Sequence, residues 1–310
     1  MVLGVAPCAL AGQEVRATGR LVRDSAQGRS LAAHWVVLHG MTRGGGGPVD
    51  STRTGADGRY AFAIPRVDSS AVYVVSAEYA GIAHFSEPLV LAGRLSADYG
   101  PLVVYDTTSA GPPLLLAVRF LTVGGARRDG AHEVLEAVEL RNPGTRTRVP
   151  VDSATPVWQG VLPAGIAEWQ VGESDVSVDA VLRRGDTVAI FAPLAPGGTK
   201  QISFAYVLPD TIRVLRVPLD QPIGELLLLV EDTAATVTAP GLDALSPETV
   251  EGRRFARYRA SAIPAGGAVE VRLSPPPFRA DRLVPWVAGL AALALAAGLW
   301  IALRKPRPVG

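Results

Sequence analysis

A single cysteine, Cys8, is present, so no intrachain disulfide forms and no cysteine cluster exists to hold a metal. Lysine occurs only at 200 and 305; the other basic residues are arginines, which carries no functional information by itself. Neither charge dominates. The formal net charge is +1, and without a basic face the chain is not expected to bind nucleic acid. Catalytic patterns are missing as well. The histidines, His34, His39, His84 and His132, fall in no HExxH or Cys/His arrangement, and His132-Glu133 is followed by Glu136 where a second histidine would stand. There is no G-x-S-x-G elbow. Gly44 to Gly47 lacks the Lys-Ser/Thr of a phosphate loop and has no helix to open, so it reads as a flexible loop. Glu173-Ser174-Asp175 and Glu231-Asp232 lack the ordered ligand spacing of a calcium loop and read as solvated turns. We therefore expect no catalytic residue, no metal and no cofactor.

What the chain does have is a long apolar run. Leu283 to Leu303 holds 21 residues without a charge, enough at about 1.5 Å per residue to cross a hydrocarbon core of about 30 Å. Leu283, Leu290, Leu295 and Leu303 give it bulk, Trp286 and Trp300 lie toward its ends, and Arg304 and Lys305 begin a basic tail, 304–310. Ala288, Ala292 and Ala296 share one helical face, a spacing an alanine-rich helix also shows by chance. Pro275-Pro276-Pro277 opens a stalk at 275–282. The start, residues 1–12, is apolar and contains Ala9-Leu10-Ala11, a small-x-small pattern like that of a cleaved leader; it reads as the remnant of a signal peptide lacking its basic part. Arginines before the helix (272, 279, 282) balance the basic residues after it, so the positive-inside rule leaves the orientation open. The leader-like start sets it: the bulk of the chain outside the cell membrane and a short tail in the cytoplasm. Without a leader the same run is a tail anchor.

Between these ends, Gly and Pro punctuate short apolar runs, the pattern of many strands joined by turns. Over residues 13–95 the expected strands are Val15–Val22, His34–His39, Val49–Thr54, Arg59–Ile64, Ala71–Tyr79 and Ile82–Leu91. The Asp57-Gly58 pair suits a tight hairpin between the third and fourth. The apolar run around Trp35 reads as core, with Trp158 and Trp169 less committed; each is a candidate for stacking on a sugar or peptide. Residues 96–113 read as a linker carrying one apolar strand, Leu102–Tyr105. Residues 114–274 read as a second β region of about ten strands, one larger sandwich or two smaller ones. In it Gln201–Leu208 alternates and Leu226–Val230 reads as a central strand buried on both faces. The fold class is thus all-β: two tandem β-sandwich domains followed by one C-terminal transmembrane helix.

Thr54-x-x-Asp57-Gly58-Arg59-Tyr60-x-Phe62-x-Ile64-Pro65, with Gly19-Arg20-Leu21-Val22 and Trp35–Leu38 upstream and Tyr73-x-Val75 and Tyr79-Ala80-Gly81 downstream, resembles the carboxypeptidase regulatory-like domain, a transthyretin-like sandwich. The resemblance covers about a quarter of the chain. Gly40 to Val49 departs from it, being longer and richer in glycine than the usual loop. It implies an accessory, non-catalytic module of secreted or surface proteins and brings no active-site residues.

The expected function is a membrane-anchored cell-envelope protein that binds or scaffolds an envelope protein or complex, or a glycan. One alternative is an enzyme or metal protein with a site assembled from distant positions, such as loops of the second domain or His34 and His84 on neighbouring strands. Another is a purely structural spacer.

Overall fold

The computed structural model describes residues 14–274. The signal remnant expected at 1–12, the stalk at 275–282, the membrane helix at 283–303 with its anchor residues, and the tail at 304–310 lie outside the described residues. Among the described residues the fold is all-β, with one 3₁₀ turn at Val178–Ala180 and no helix long and apolar enough to cross a membrane.

The first half contains β1 (Val15–Arg23), β2 (Trp35–Thr42), β3 (Gly45–Arg53), β4 (Arg59–Ile64), β5 (Val72–Tyr79), β6 (Ile82–Phe85) and β7 (Ser96–Val104). In one sheet β1 pairs antiparallel with β4 and Arg29–Ser30, and parallel with β7. The other has the order β3-β2-β5-β6. Alternation explains the layering. In β4, Tyr60, Phe62 and Ile64 are buried while Arg59, Ala61 and Ala63 are exposed. They meet Val36, Leu38 and Val75 from the second sheet in a core of their own.

Three expectations change here. The Asp57-Gly58 turn does not close a hairpin: β3 pairs with β2 and β4 with β1, so the turn carries the chain from one sheet to the other. Thr54 makes that possible. Its buried hydroxyl donates to Leu31 O (2.6 Å) and accepts from the His34 amide (3.0 Å), pinning the chain where the β2–β3 ladder ends. Gly58 sits at φ 76°, and a Cβ there would lie 2.6 Å from Leu21 O, so only glycine fits. The second change is the glycine run. Gly45 to Gly47 are not loop but the start of β3, paired with Gly40 to Thr42. The third is the linker at 96–113. Residues 96–104 are β7, an integral strand of the first sheet, and only the part after Val104 connects the two halves. There Asp106 accepts from the Tyr79 hydroxyl (2.9 Å), its carbonyl accepts from the Thr147 amide (2.8 Å), and Thr107–Thr108 pairs with Thr147–Arg148.

The second half contains β8 (Leu115–Ala126), β9 (His132–Arg141), β10 (Trp158–Val161), β11 (Ala167–Val171), β12 (Val181–Arg184), β13 (Thr187–Ile190), β14 (Thr199–Leu208), β15 (Val214–Pro218), β16 (Ile223–Val230), β17 (Thr236–Thr238), β18 (Asp243–Val250), β19 (Arg253–Ile263) and β20 (Ala268–Arg272). A seven-stranded sheet has the order β11-β14-β9-β8-β16-β19-β18, and two three-stranded sheets have the orders β10-β13-β12 and β15-β20-β17. Leu121, Phe204 and Leu226 of the large sheet, Ile190 of one small sheet and Val269 of the other belong to a single buried cluster, so the region has one core. The 3₁₀ turn at Val178–Ala180 leads directly into β12. β16 is an inner strand of the sheet, but among the described residues Leu227 and Leu229 on its second face are only half-buried. β14 is covered on both faces instead. The segment after β11 continues along the edge of β14, with the Gly172 amide bonding Ser203 O (2.8 Å) and the Ser203 amide bonding Ser174 Oγ (3.0 Å).

Candidate functional site

β2 has apolar residues at almost every position, yet a strand can point only alternate side chains inward. Val36 and Leu38 take the core. Trp35, Val37, His39 and Met41 therefore face outward on the β3-β2-β5-β6 sheet. Trp35, expected in the core, is 55 % exposed, because the in-phase neighbours Val36 and Leu38 hold the buried positions on either side of Val37. The ladder continues the face across the sheet. Met41 lies opposite Val72, His39 opposite Val74, and Val37 between Ser51 and Ser76, with Phe85 beyond Ser76. Met41 is 50 %, Val72 38 % and Phe85 62 % exposed. Large apolar side chains scattered singly on a surface need no explanation; several on adjacent strands of one face form a patch.

Polar groups hold the patch in shape. The Arg53 guanidinium lies 4.7 Å from the Trp35 ring centroid, fixing one face of the indole by a cation–π contact. His39 Nε2 is 2.8 Å from Ser76 Oγ, and its ring centroid is 6.4 Å from that of Phe85. A serine beside a histidine invites comparison with a nucleophile and its base. A working pair also needs a group orienting the other imidazole nitrogen and donors for an oxyanion. Among the described residues His39 Nδ1 has no hydrogen-bond partner, and the amides around Ser76 belong to ladders on both sides.

The remaining candidate residues are dispersed. His34 is half-buried with its ring 6.0 Å from that of Tyr79, and His84 is buried with its ring 6.4 Å from that of Tyr105. Burial holds the His84 imidazole below its ordinary pKa. His132 bonds Gly124 O through Nδ1 (2.9 Å). Among the described residues no group of three or more His, Cys, Asp or Glu is arranged to hold a metal. Glu231 is engaged by Arg253, whose hydrogen bond is the main reason its carboxyl is held below the usual range. Trp158 is buried and donates to Gln221 Oε1 (2.7 Å); Trp169 is partly buried against Phe204. Trp158 is therefore committed to the core.

No family model matches the chain, and no curated protein is similar to it. A solved structure from Legionella pneumophila, described as that of a candidate nutrient-binding protein, shares 11 % identity over 54 % of this chain and 70 % of that one, with a TM-score of 0.34. At that level the likeness carries no argument about fold or function.

The sequence missed one feature of the second core altogether. Arg119 and Glu136 are 5 % and 1 % exposed and form an ion pair of 2.6 Å; Arg119 also donates to Pro218 O (2.8 Å), and Tyr206 Oη donates to Glu136 Oε2 (3.2 Å). The signal was legible: Arg119 is in phase with Leu121 and Val123, and Glu136 with Val134 and Val138, so two core-facing positions on adjacent strands carry opposite charges. Arg119 and Glu136 border a small cavity of about 10 Å³ with Asp220 and Gln221, at the lower limit of room for one water molecule.

Proposed function

We propose that this protein is a non-catalytic, membrane-anchored binding module of the cell envelope, and that the outer face of the β3-β2-β5-β6 sheet contacts a partner protein. The exposed patch of Trp35, Met41, Val72 and Phe85 is the observation that carries this reading. Aromatic residues, methionine and arginine are the types enriched at the centres of protein interfaces, and the patch combines them with Arg53. A pre-stacked Trp35 loses little conformational freedom on binding, which favours affinity. The aliphatic Met41 and Val72, paired at the end of β2 away from Trp35, favour a protein over a glycan.

In this proposal the two halves are tandem sandwich domains, the first of the carboxypeptidase regulatory-like kind, a reading supported by the Thr54 pin and the Gly58 turn. The uncharged run 283–303 anchors them, with the domains outside and the tail inside. Gentle detergent extraction of the tagged full chain tests the binding claim. A stoichiometric partner retained by the wild type and by Val178→Ala, but lost from Trp35→Ala/Phe85→Ala, is expected. Equal retention by all three contradicts it. Protease added to intact cells should degrade the domains; complete protection overturns the topology.

A further inference from the structure

A second recess lies on the other half of the chain. At one end of the seven-stranded sheet a cleft of about 810 Å³ opens between the beginnings of β8 and β16 and the ends of β9 and β19. That volume is in the range of small-molecule sites. Its floor is made of small residues. At Gly224 a Cβ would lie 2.5 Å from Ala117 O, and Ala262 holds a left-handed φ of 52°, which is strained for a residue other than glycine. Leu115, 40 % exposed, and Ile223 add apolar surface.

The walls are Pro112, Pro113, Pro143, Pro222 and Pro264. Five prolines supply no N–H donors, so the cleft cannot receive an extended peptide by strand addition, which needs donors and acceptors in alternation. It is apolar, rigid and poor in donors. Among the described residues Arg141 is its one charged lining residue. The Arg141 side chain is exposed and makes no ion pair among the described residues. Charge complementarity therefore asks for an apolar chain carrying a single anionic head.

The cleft is also remote from the point where the chain continues past the described residues. Ser274 bonds Asp232 (2.7 Å) just beyond the far end of β16, whereas the cleft is at its start. The length of β16 places about 23 Å between them at about 3.3 Å per residue. Under the anchoring proposed above, on which this step alone rests, the cleft is distal to the bilayer and takes a monomer that has left the membrane, not a lipid still in it. We propose that the cleft binds one free long-chain aliphatic carboxylate, with the alkyl chain against the proline walls and the carboxylate on Arg141.

The test uses the full chain in phosphatidylcholine nanodiscs, with empty nanodiscs as the background. The probes are 11-(dansylamino)undecanoic acid and its methyl ester. Saturable one-to-one binding of the acid is expected, about tenfold tighter than the ester, as one charge-assisted contact implies. Arg141→Gln should abolish that preference and leave ester binding intact. Leu115→Asp should abolish both while the thermal melt stays unchanged. Trp35→Ala/Phe85→Ala should bind the acid like the wild type, which separates this site from the partner face. Equal binding of acid and ester, no effect of Arg141→Gln, or no saturable binding overturns the proposal.

Discussion

Removing Arg119 from the second core is the sharpest test of how that core is organised. Arg119→Met keeps most of the side-chain volume but leaves the Glu136 carboxylate, 1 % exposed, without its cation. Breaking one partner of a buried pair costs about 3–5 kcal/mol, because a charge is then stranded in a medium that solvates it poorly. Against a total stability of about 5–15 kcal/mol this is a large fraction. With a urea slope of about 2 kcal/mol per molar, the midpoint falls by about 2 M. Arg119→Met/Glu136→Leu removes both charges and recovers part of the loss. Two groups are left unsatisfied: the part-buried Pro218 carbonyl, which loses its donor, and Tyr206, whose hydroxyl, kept protonated well above the usual range by burial and then by Glu136, loses its acceptor. That costs about 1–3 kcal/mol. Adding Tyr206→Phe should therefore bring the triple variant to within about 2 kcal/mol of the wild type, since a packed apolar replacement of a buried pair is often neutral and only the Pro218 carbonyl still lacks its donor. Urea unfolding of the full chain in micelles, followed by tryptophan emission, gives the order single, double, triple. A single-variant shift below about 0.5 M, or a triple variant no better than the single, refutes the argument.

Thr54→Val should lower the melting transition of the first half by the equivalent of about 2 kcal/mol, since it strands the Leu31 carbonyl and the His34 amide; differential scanning calorimetry reads this, and an unchanged transition contradicts the pinning role. The first half should also lose stability between pH 7.5 and 5.5. His84 is buried, its Nε2 has no partner, and its folded pKa is lowered, so the unfolded chain takes up the proton more readily. The stability is complete above the unfolded value near 6.5 and drains as pH falls below it. His84→Phe should flatten that slope; an identical slope in the variant contradicts it. Trp35→Ala/Phe85→Ala should leave both melting transitions within about 0.5 kcal/mol of wild type, as expected for exposed positions, and a larger loss makes the patch part of the scaffold instead.

Much of the strand pattern was legible in the sequence. Arg59–Ile64 coincides with β4 and Gln201–Leu208 lies within β14, because strict alternation and short runs between turns leave little freedom. Pairing was not legible. An Asp-Gly turn is compatible with a hairpin or a crossing between sheets, and the choice is made by Thr54 bonding to residues 20 and 23 positions away. The edge strand β18 was missed because Asp243–Val250 is exposed throughout and carries Pro247 at a register shift, features that local propensity reads as loop. Trp35 shows the same limit at the candidate site. A continuous apolar run gives no phase, so the sequence cannot say which half of it faces the core, although the polar His39 two pairs on marks the outward phase.

The most direct test of the central claim is photocrosslinking from the sheet face in intact membranes. A benzophenone amino acid at Val72 should give one discrete adduct with a partner protein, lost when Trp35 and Phe85 are alanine, while the same probe at Val178 gives none. No adduct from position 72, or an adduct that survives the loss of both aromatics, contradicts the proposed binding face.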